Sequence, residues 1–234
     1  MYQKTLKQVV RKQVWAVKRK TVIQVLTPRC RRDGEPEYGR FTSQDIERII
    51  QQATINLAGL QPFFKDLPNL GNYTMAYSAM VDLAYYRALN AETVDPGYAI
   101  RLIGDINWQY VISTSGYYRL KKKLIAARTR DPIERMGLFL RDMLKFPYGE
   151  PGYQAELTRE GDTFRMNFYT CPLYDYFKQF GEEELTLFRK VFCTYDYAAA
   201  ERLIEGGRYE REHTLSDGDA VCDMRWFIAE TASR

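Results

Sequence analysis

FPYGEPGYQAELTREGDTFRMNFYTCP, from Phe146 to Pro172, is the stretch at which the sequence changes its period. Its first eight residues, Phe146 to Tyr153, hold two prolines and two glycines, a density that ends regular structure. Apolar and polar residues then alternate through YQAELTRE and TFRMNFYT, with Gly161 and Asp162 between the two runs and Phe164, Met166 and Phe168 on one face. Alternation broken by two turn residues predicts a β-hairpin. Before the break the spacing is helical. A chain that is mainly helical from about 41 to 145 and sheet-forming from 153 onward reads as α+β, a helical layer packed on a small antiparallel sheet.

Upstream, FTSQDIERIIQQA opens a helix with Thr42 or Ser43 as its cap, Asp45 and Glu47 in the first turn, and Ile46, Ile49, Ile50 and Ala53 on one face. Asn72 to Asn90 aligns Met75, Ala79, Leu83 and Tyr86. Pro96 to Ser115 repeats the pattern with Ile100, Ile103, Asn107 and Tyr110, and Pro132 suits the first turn of a helix through Leu144. Met and Tyr at this spacing read as core.

Downstream, the second strand of the hairpin runs into Cys171. Pro172 fits the first position of a helix through Phe180, closed by Gly181. A thiol at such a junction faces free backbone amides, which favour thiolate and predict a lowered pKa for Cys171. Glu182 to Ile204 reads as one further helix, with Leu185, Phe188, Phe192 and Tyr195 on one side and Cys193 three residues before Asp196. RYEREHTL and AVCDMRWFI are the last two strands, so the sheet region from 153 to 234 holds two helices. A two-residue Asp217-Gly218 turn between these strands sets His213 opposite Cys222. It also opposes Glu212 to Asp223, so a loop longer by a residue competes.

At 234 residues and 45% apolar content the chain can bury a core without staples. No run reaches the roughly 18 to 20 apolar residues of a membrane span, and no charged-then-apolar leader follows Met1, so the expected address is the cytoplasm. The four cysteines, Cys30, Cys171, Cys193 and Cys222, are sparse and form no CxxC, which predicts free thiols. Of the net charge of +4, residues 1–40 contribute 11 Lys or Arg against 3 acidic residues, and the remainder is net negative. That excludes a nucleic-acid binder with a basic body. The basic stretch, with Leu6, Val10, Val14 and Val17 at helical spacing, reads as an amphipathic arm, joined through the turn-rich linker Pro28 to Arg40 to a single domain from 41 to 234. Residues 1–27 could contact an anionic membrane or an acidic partner at ~1 kcal/mol per basic group, or pack the valine stripe on the body. The difference in composition predicts that this arm is dispensable for folding. Cys30 lies in the linker, apart from the other thiols.

The chain holds no GxxxxGK[ST], no GxGxxG after a strand, no GxSxG and no HExxH. With His213 the sole histidine, the chemistry-bearing residues left are Cys171, Cys193, Asp196, His213 and Cys222. They suit either a thiol nucleophile with a base or a sulfur-rich zinc site, in which Cys171, Cys193, His213 and Cys222 would be the ligands. The bland alternative is a set of core cysteines and a hydrogen-bonded strand histidine.

CPLYDYFKQFG, FCTYDYAAA and REHTLSDGDAVCDMRW together resemble the L-2-amino-thiazoline-4-carboxylic acid hydrolase family. The family's pattern is Cys-Pro, a Gly-closed helix, Cys-x-x-Asp, then Thr-Leu-x-x-Gly-x-x-x-Cys-Asp-Phe. The residues that match are Cys171, Pro172, Gly181, Cys193, Asp196, Thr214, Leu215, Gly218, Cys222 and Asp223, with Met224 in place of the usual Phe. The resemblance implies a hydrolase that opens a small cyclic isothiourea or amide-like substrate to a carbamoyl-cysteine. Such a reaction needs an activated nucleophile at Cys171 or Cys222, a proton carrier at Asp196 or His213, and an anchor for the substrate carboxylate at Arg211 or Arg225. The same ending resembles, more distantly, the 4-vinyl reductase domain. That likeness implies a noncatalytic module for a small ligand or tetrapyrrole, although Thr214 stands where that domain has a zinc-holding cysteine.

Overall fold

The structure, a computed structural model, describes residues 2–29, 41–92 and 94–229. Most of the linker, with Cys30, lies outside them. Contacts divide the chain into two compact units, Met1–Asp66 with Tyr73–Thr114, and Leu67–Asn72 with Ser115–Arg234. No helix among the described residues is long and apolar enough to cross a membrane.

The first unit is helical, built from α1 (Tyr2–Arg29), α2 (Ser43–Leu60), most of α3 (Leu70–Ala91) and α4 (Pro96–Thr114). Thr42 caps α2 as expected, in a reciprocal pair with Asp45 that satisfies two otherwise orphaned amides. The basic stretch forms α1 and belongs to this unit rather than standing apart from it. Val14, Val22 and Leu26 are buried, and α1 packs on α2 and α4. Its charges are also used inside the unit. Lys7 pairs with Asp66, and Arg11 bonds Tyr73 and Gln61. Lys18, wholly buried, donates to Asp82 at 2.7 Å and to Asn107 at 3.2 Å, with the Tyr110 ring 4.2 Å away.

The second unit carries α5 (Gly116–Arg128), α6 (Pro132–Met143) and a four-stranded antiparallel sheet of β1 (Ala155–Glu160), β2 (Thr163–Phe168), β3 (Gly207–Glu210) and β4 (Cys222–Ile228), in the order β1-β2-β4-β3. The fold is thus α+β, as the change of period requires. The hairpin β1-β2 pairs Glu160 with Thr163 across Gly161, whose φ of 59° is a conformation that glycine adopts freely. Phe164, Met166 and Phe168 face inward with Tyr209 and Trp226, all buried. α6 covers this face. A Cβ on Gly137 would come within 2.5 Å of the Phe164 ring, so only glycine lets helix and strand approach so closely. Phe164→Ala in this layer costs about 3–5 kcal/mol by the usual cavity penalty.

Between β2 and β3 the chain forms three helices where sequence spacing suggests two: α7 (Pro172–Phe177), α8 (Glu182–Val191) and α9 (Tyr195–Leu203). The predicted helix from Glu182 to Ile204 breaks at Phe192–Thr194, where the Thr194 hydroxyl donates to the Lys190 carbonyl. The ladder between β3 and β4 has the expected register. Glu210 pairs with Arg225, and continuation would bring His213 opposite Cys222. The ladder stops at Glu210, however, and Leu215–Asp217 form a 3-10 turn in place of the two-residue hairpin.

Candidate functional site

The three late cysteines come from three structural contexts within the second unit, and each sulfur meets a polar group. Cys171 precedes α7 and its Sγ accepts the Tyr174 N–H at 3.5 Å. Cys193 lies in the break between α8 and α9, 3.6 Å from the Ser216 hydroxyl. Cys222, buried at the start of β4, accepts the Leu215 N–H at 3.3 Å. The sulfurs act on one another electrostatically, and Cys193 and Cys222 both raise the pKa of Cys171. Burial is the larger influence on Cys171. It lifts the thiol to about 12 against the pull of the Tyr174 and Leu173 amides, so the lowered pKa expected from its position is corrected. Burial likewise lifts Cys193 to about 11, opposed by the Ser216 hydroxyl and the Arg211 charge. Both are neutral thiols near pH 7.

Asp196 stands in the first turn of α9, 8% exposed, and burial raises its carboxyl to about 6 while Arg211 pulls it down. Arg211, half-buried, continues the inward parity of Tyr209 past the end of β3, and it interacts with Cys193 and Cys222. Asp196 and Arg211 feel each other's charge, yet neither side chain makes a hydrogen bond or an ion pair among the described residues. A buried acid and a partly buried guanidinium thus both act on Cys193, and the guanidinium acts on Cys222 as well. Around them Tyr148, Tyr153 and Phe168 pack edge to face with centroids 5.1–5.4 Å apart. Burial holds both phenols neutral, with Asp196 and Cys171 among the groups that raise them further.

His213 and Arg225 do not join this group. At the end of the ladder the Glu212 and His213 amides both turn to Asp223 Oδ1, at 3.1 and 2.7 Å, and His213 Nδ1 lies 2.7 Å from Asp223 Oδ2. The imidazole is therefore drawn to the half-buried Asp223 carboxylate instead of the thiols, and that hydrogen bond raises its pKa. Arg225 alternates with the buried Trp226, so it points to the opposite face of β4, where it meets Glu210 at 3.1 Å and lies over Phe227.

The set Cys171, Cys193, His213 and Cys222 does not form a zinc site, because His213 is held elsewhere. Among the described residues, the one group of three such donors within 4.8 Å of one another is Glu212, His213 and Asp223. There the Nδ1–Oδ2 separation is that of a hydrogen bond. A surface depression of about 420 Å³ on α1 is lined by Trp15, Ala16, Arg19, Lys20, Ile23 and Gln24 and offers no acid, thiol or histidine.

Three neighbours of the cluster went unread in the sequence. Tyr148 and Tyr153 sit in a Pro/Gly-rich break that looks like loop, and Ser216 sits in a predicted turn. Two bulky phenols in such punctuation are the one signal available, since loops of that kind seldom spend aromatic residues on solvent.

A family model described as L-2-amino-thiazoline-4-carboxylic acid hydrolase matches residues 73–226. No curated protein and no solved structure matches the chain.

Proposed function

Since the chain belongs to the L-2-amino-thiazoline-4-carboxylic acid hydrolase family, we propose that it opens a small cyclic isothiourea carrying a carboxylate, at the thiol cluster of its second unit. The observation that carries this reading is the pair of Asp196 and Arg211, opposite charges that feel each other and both act on Cys193. A substrate with a carboxylate at one end and a protonated isothiourea at the other would satisfy both charges at once. Arg211 takes the carboxylate as a planar fork, and Asp196 takes the cationic end.

Cys193 is a thiol on which both charges act, and in this reading it attacks the ring carbon that lies between nitrogen and sulfur. Its proton passes to Asp196. The transfer from a thiol near 11 to an acid near 6 is uphill, so it is coupled to the approach of the cationic substrate. One ring bond at that carbon breaks, and Asp196 returns the proton to the departing ring atom. Water then adds to the same carbon and expels Cys193, leaving a carbamoyl-cysteine. Neutral Tyr148 and Tyr153 wall the site and supply phenolic donors. Cys171 and Cys222 line it, and His213 and Arg225 take no part.

Carbamoyl-cysteine formation from L-2-amino-thiazoline-4-carboxylate tests this. Asp196→Asn should lower kcat on the order of 100- to 10,000-fold, the usual contribution of a positioned acid-base group. Arg211→Ala should raise KM roughly 10- to 100-fold, as loss of a charge-assisted anchor does. Arg225→Ala should change neither by more than about twofold, since its partner is a surface carboxylate. Absence of turnover, or equal losses for Arg211 and Arg225, would refute the reading and leave the noncatalytic ligand module.

A further inference from the structure

The turn Thr214–Ser216 sets one polar group against each of two sulfurs, and the two groups differ in kind. The Leu215 amide to Cys222 is fixed by the backbone. The Ser216 hydroxyl at Cys193 can rotate, and it has two partners: Thr214 Oγ1 at 2.8 Å and Cys193 Sγ at 3.6 Å. Ser216 is 3% exposed, so water does not compete for it. Its position is also fixed from several sides. Arg189 of α8 donates twice to its carbonyl, at 3.0 and 2.7 Å, and its own amide donates to Thr214 Oγ1 at 3.1 Å. The Thr214 amide in turn donates to Asp219 at 2.8 Å, and Gly218 closes the turn at a φ of 98°. A buried hydroxyl held this firmly, with a thiol as one of two partners, is built to respond to the charge on that sulfur.

We infer that Ser216 is a positioning residue for Cys193, its hydroxyl turning from Thr214 to the sulfur as the thiol loses its proton. While Cys193 is a thiol, its S–H can donate to Ser216 Oγ and the Ser216 hydroxyl can donate to Thr214. As the proton leaves for Asp196, the Ser216 hydroxyl becomes the donor to the thiolate. One rotation of a single O–H thus stabilises the charged form without admitting water. The inference rests on the reading that Cys193 is the reacting thiol, but its test does not require turnover.

The full chain is alkylated with iodoacetamide across pH 6 to 10, and the rate at each cysteine is followed by peptide mass spectrometry. Ser216→Ala should slow Cys193 about 3- to 10-fold at a given pH, with Cys171 and Cys222 within twofold of the parent. Ser216→Thr, which keeps the hydroxyl, should restore the rate. An unchanged Cys193, or a parallel change at all three thiols, overturns the assignment. If these changes appear in a chain that never forms carbamoyl-cysteine, the proposed reaction fails while the role of Ser216 stands.

Discussion

Asp196 is the residue whose environment states its role most directly. It is buried, it makes no hydrogen bond, and its carboxyl is raised to about 6 by loss of water with Arg211 in opposition. It must be ionised to accept a proton, so kcat/KM should rise as pH climbs through about 6. The stability effect has the opposite sign. An acid whose pKa is higher folded than unfolded holds its proton more tightly in the folded chain, so its contribution is favourable below its ordinary 3.8 and is lost as pH rises through about 6. Asp196→Asn should therefore be slow in turnover yet more resistant to urea than the parent at pH 8, a difference that should vanish near pH 4. Equal or lower resistance at pH 8 would mean that the carboxylate is stabilised by something other than Arg211. Cys193 and Asp196 were legible in the sequence through their three-residue spacing. The two arginines could have been separated as well. Trp226 points inward, so Arg225 must point outward, while Arg211 keeps the parity of Tyr209. The capture of His213 by Asp223 was not legible, because it follows from where the ladder stops, and no local pattern marks that point.

The elements were mostly readable from period and caps: Thr42 opens α2, Pro132 opens α6, and Pro172 follows Cys171 into α7. The break at Phe192–Thr194 was hidden because Phe188, Phe192 and Tyr195 continue the helical spacing straight across it. That break matters to the site, since it takes Cys193 off the helix and lets it meet Ser216. α1 was hidden differently. Its basic residues look like a solvated or membrane-facing arm, yet Lys18 lies wholly buried against Asp82, a pair separated by 64 positions that local composition cannot reveal. Lys18→Met leaves Asp82 buried without its partner and should cost about 3–5 kcal/mol in urea unfolding of the full chain. The double variant Lys18→Met with Asp82→Leu should recover most of the loss. A single-variant cost under about 1 kcal/mol would show that the pair is not buried in solution, and would restore the picture of a dispensable arm.

For the molecule as a whole, the change of period near Phe146 predicts the α+β class, and the resemblance after Cys171 predicts the family. The contrast in charge around residue 40 suggested a boundary that the packing of α1 does not respect, because the acids that answer its lysines, Asp66 and Asp82, come from later in the chain. The central claim concerns the second unit: a half-buried thiol, an acid and an arginine from α9, β3 and their flanking turns act together on one small zwitterion. Rapid mixing of the full chain with L-2-amino-thiazoline-4-carboxylate, an acid quench and peptide mass spectrometry would test it most directly. The account predicts the mass of the opened substrate on the peptide that carries Cys193 within the first turnover, absent in Cys193→Ser and much reduced in Asp196→Asn. Turnover with the added mass on Cys171 or Cys222, or full turnover by Cys193→Ser, would contradict it.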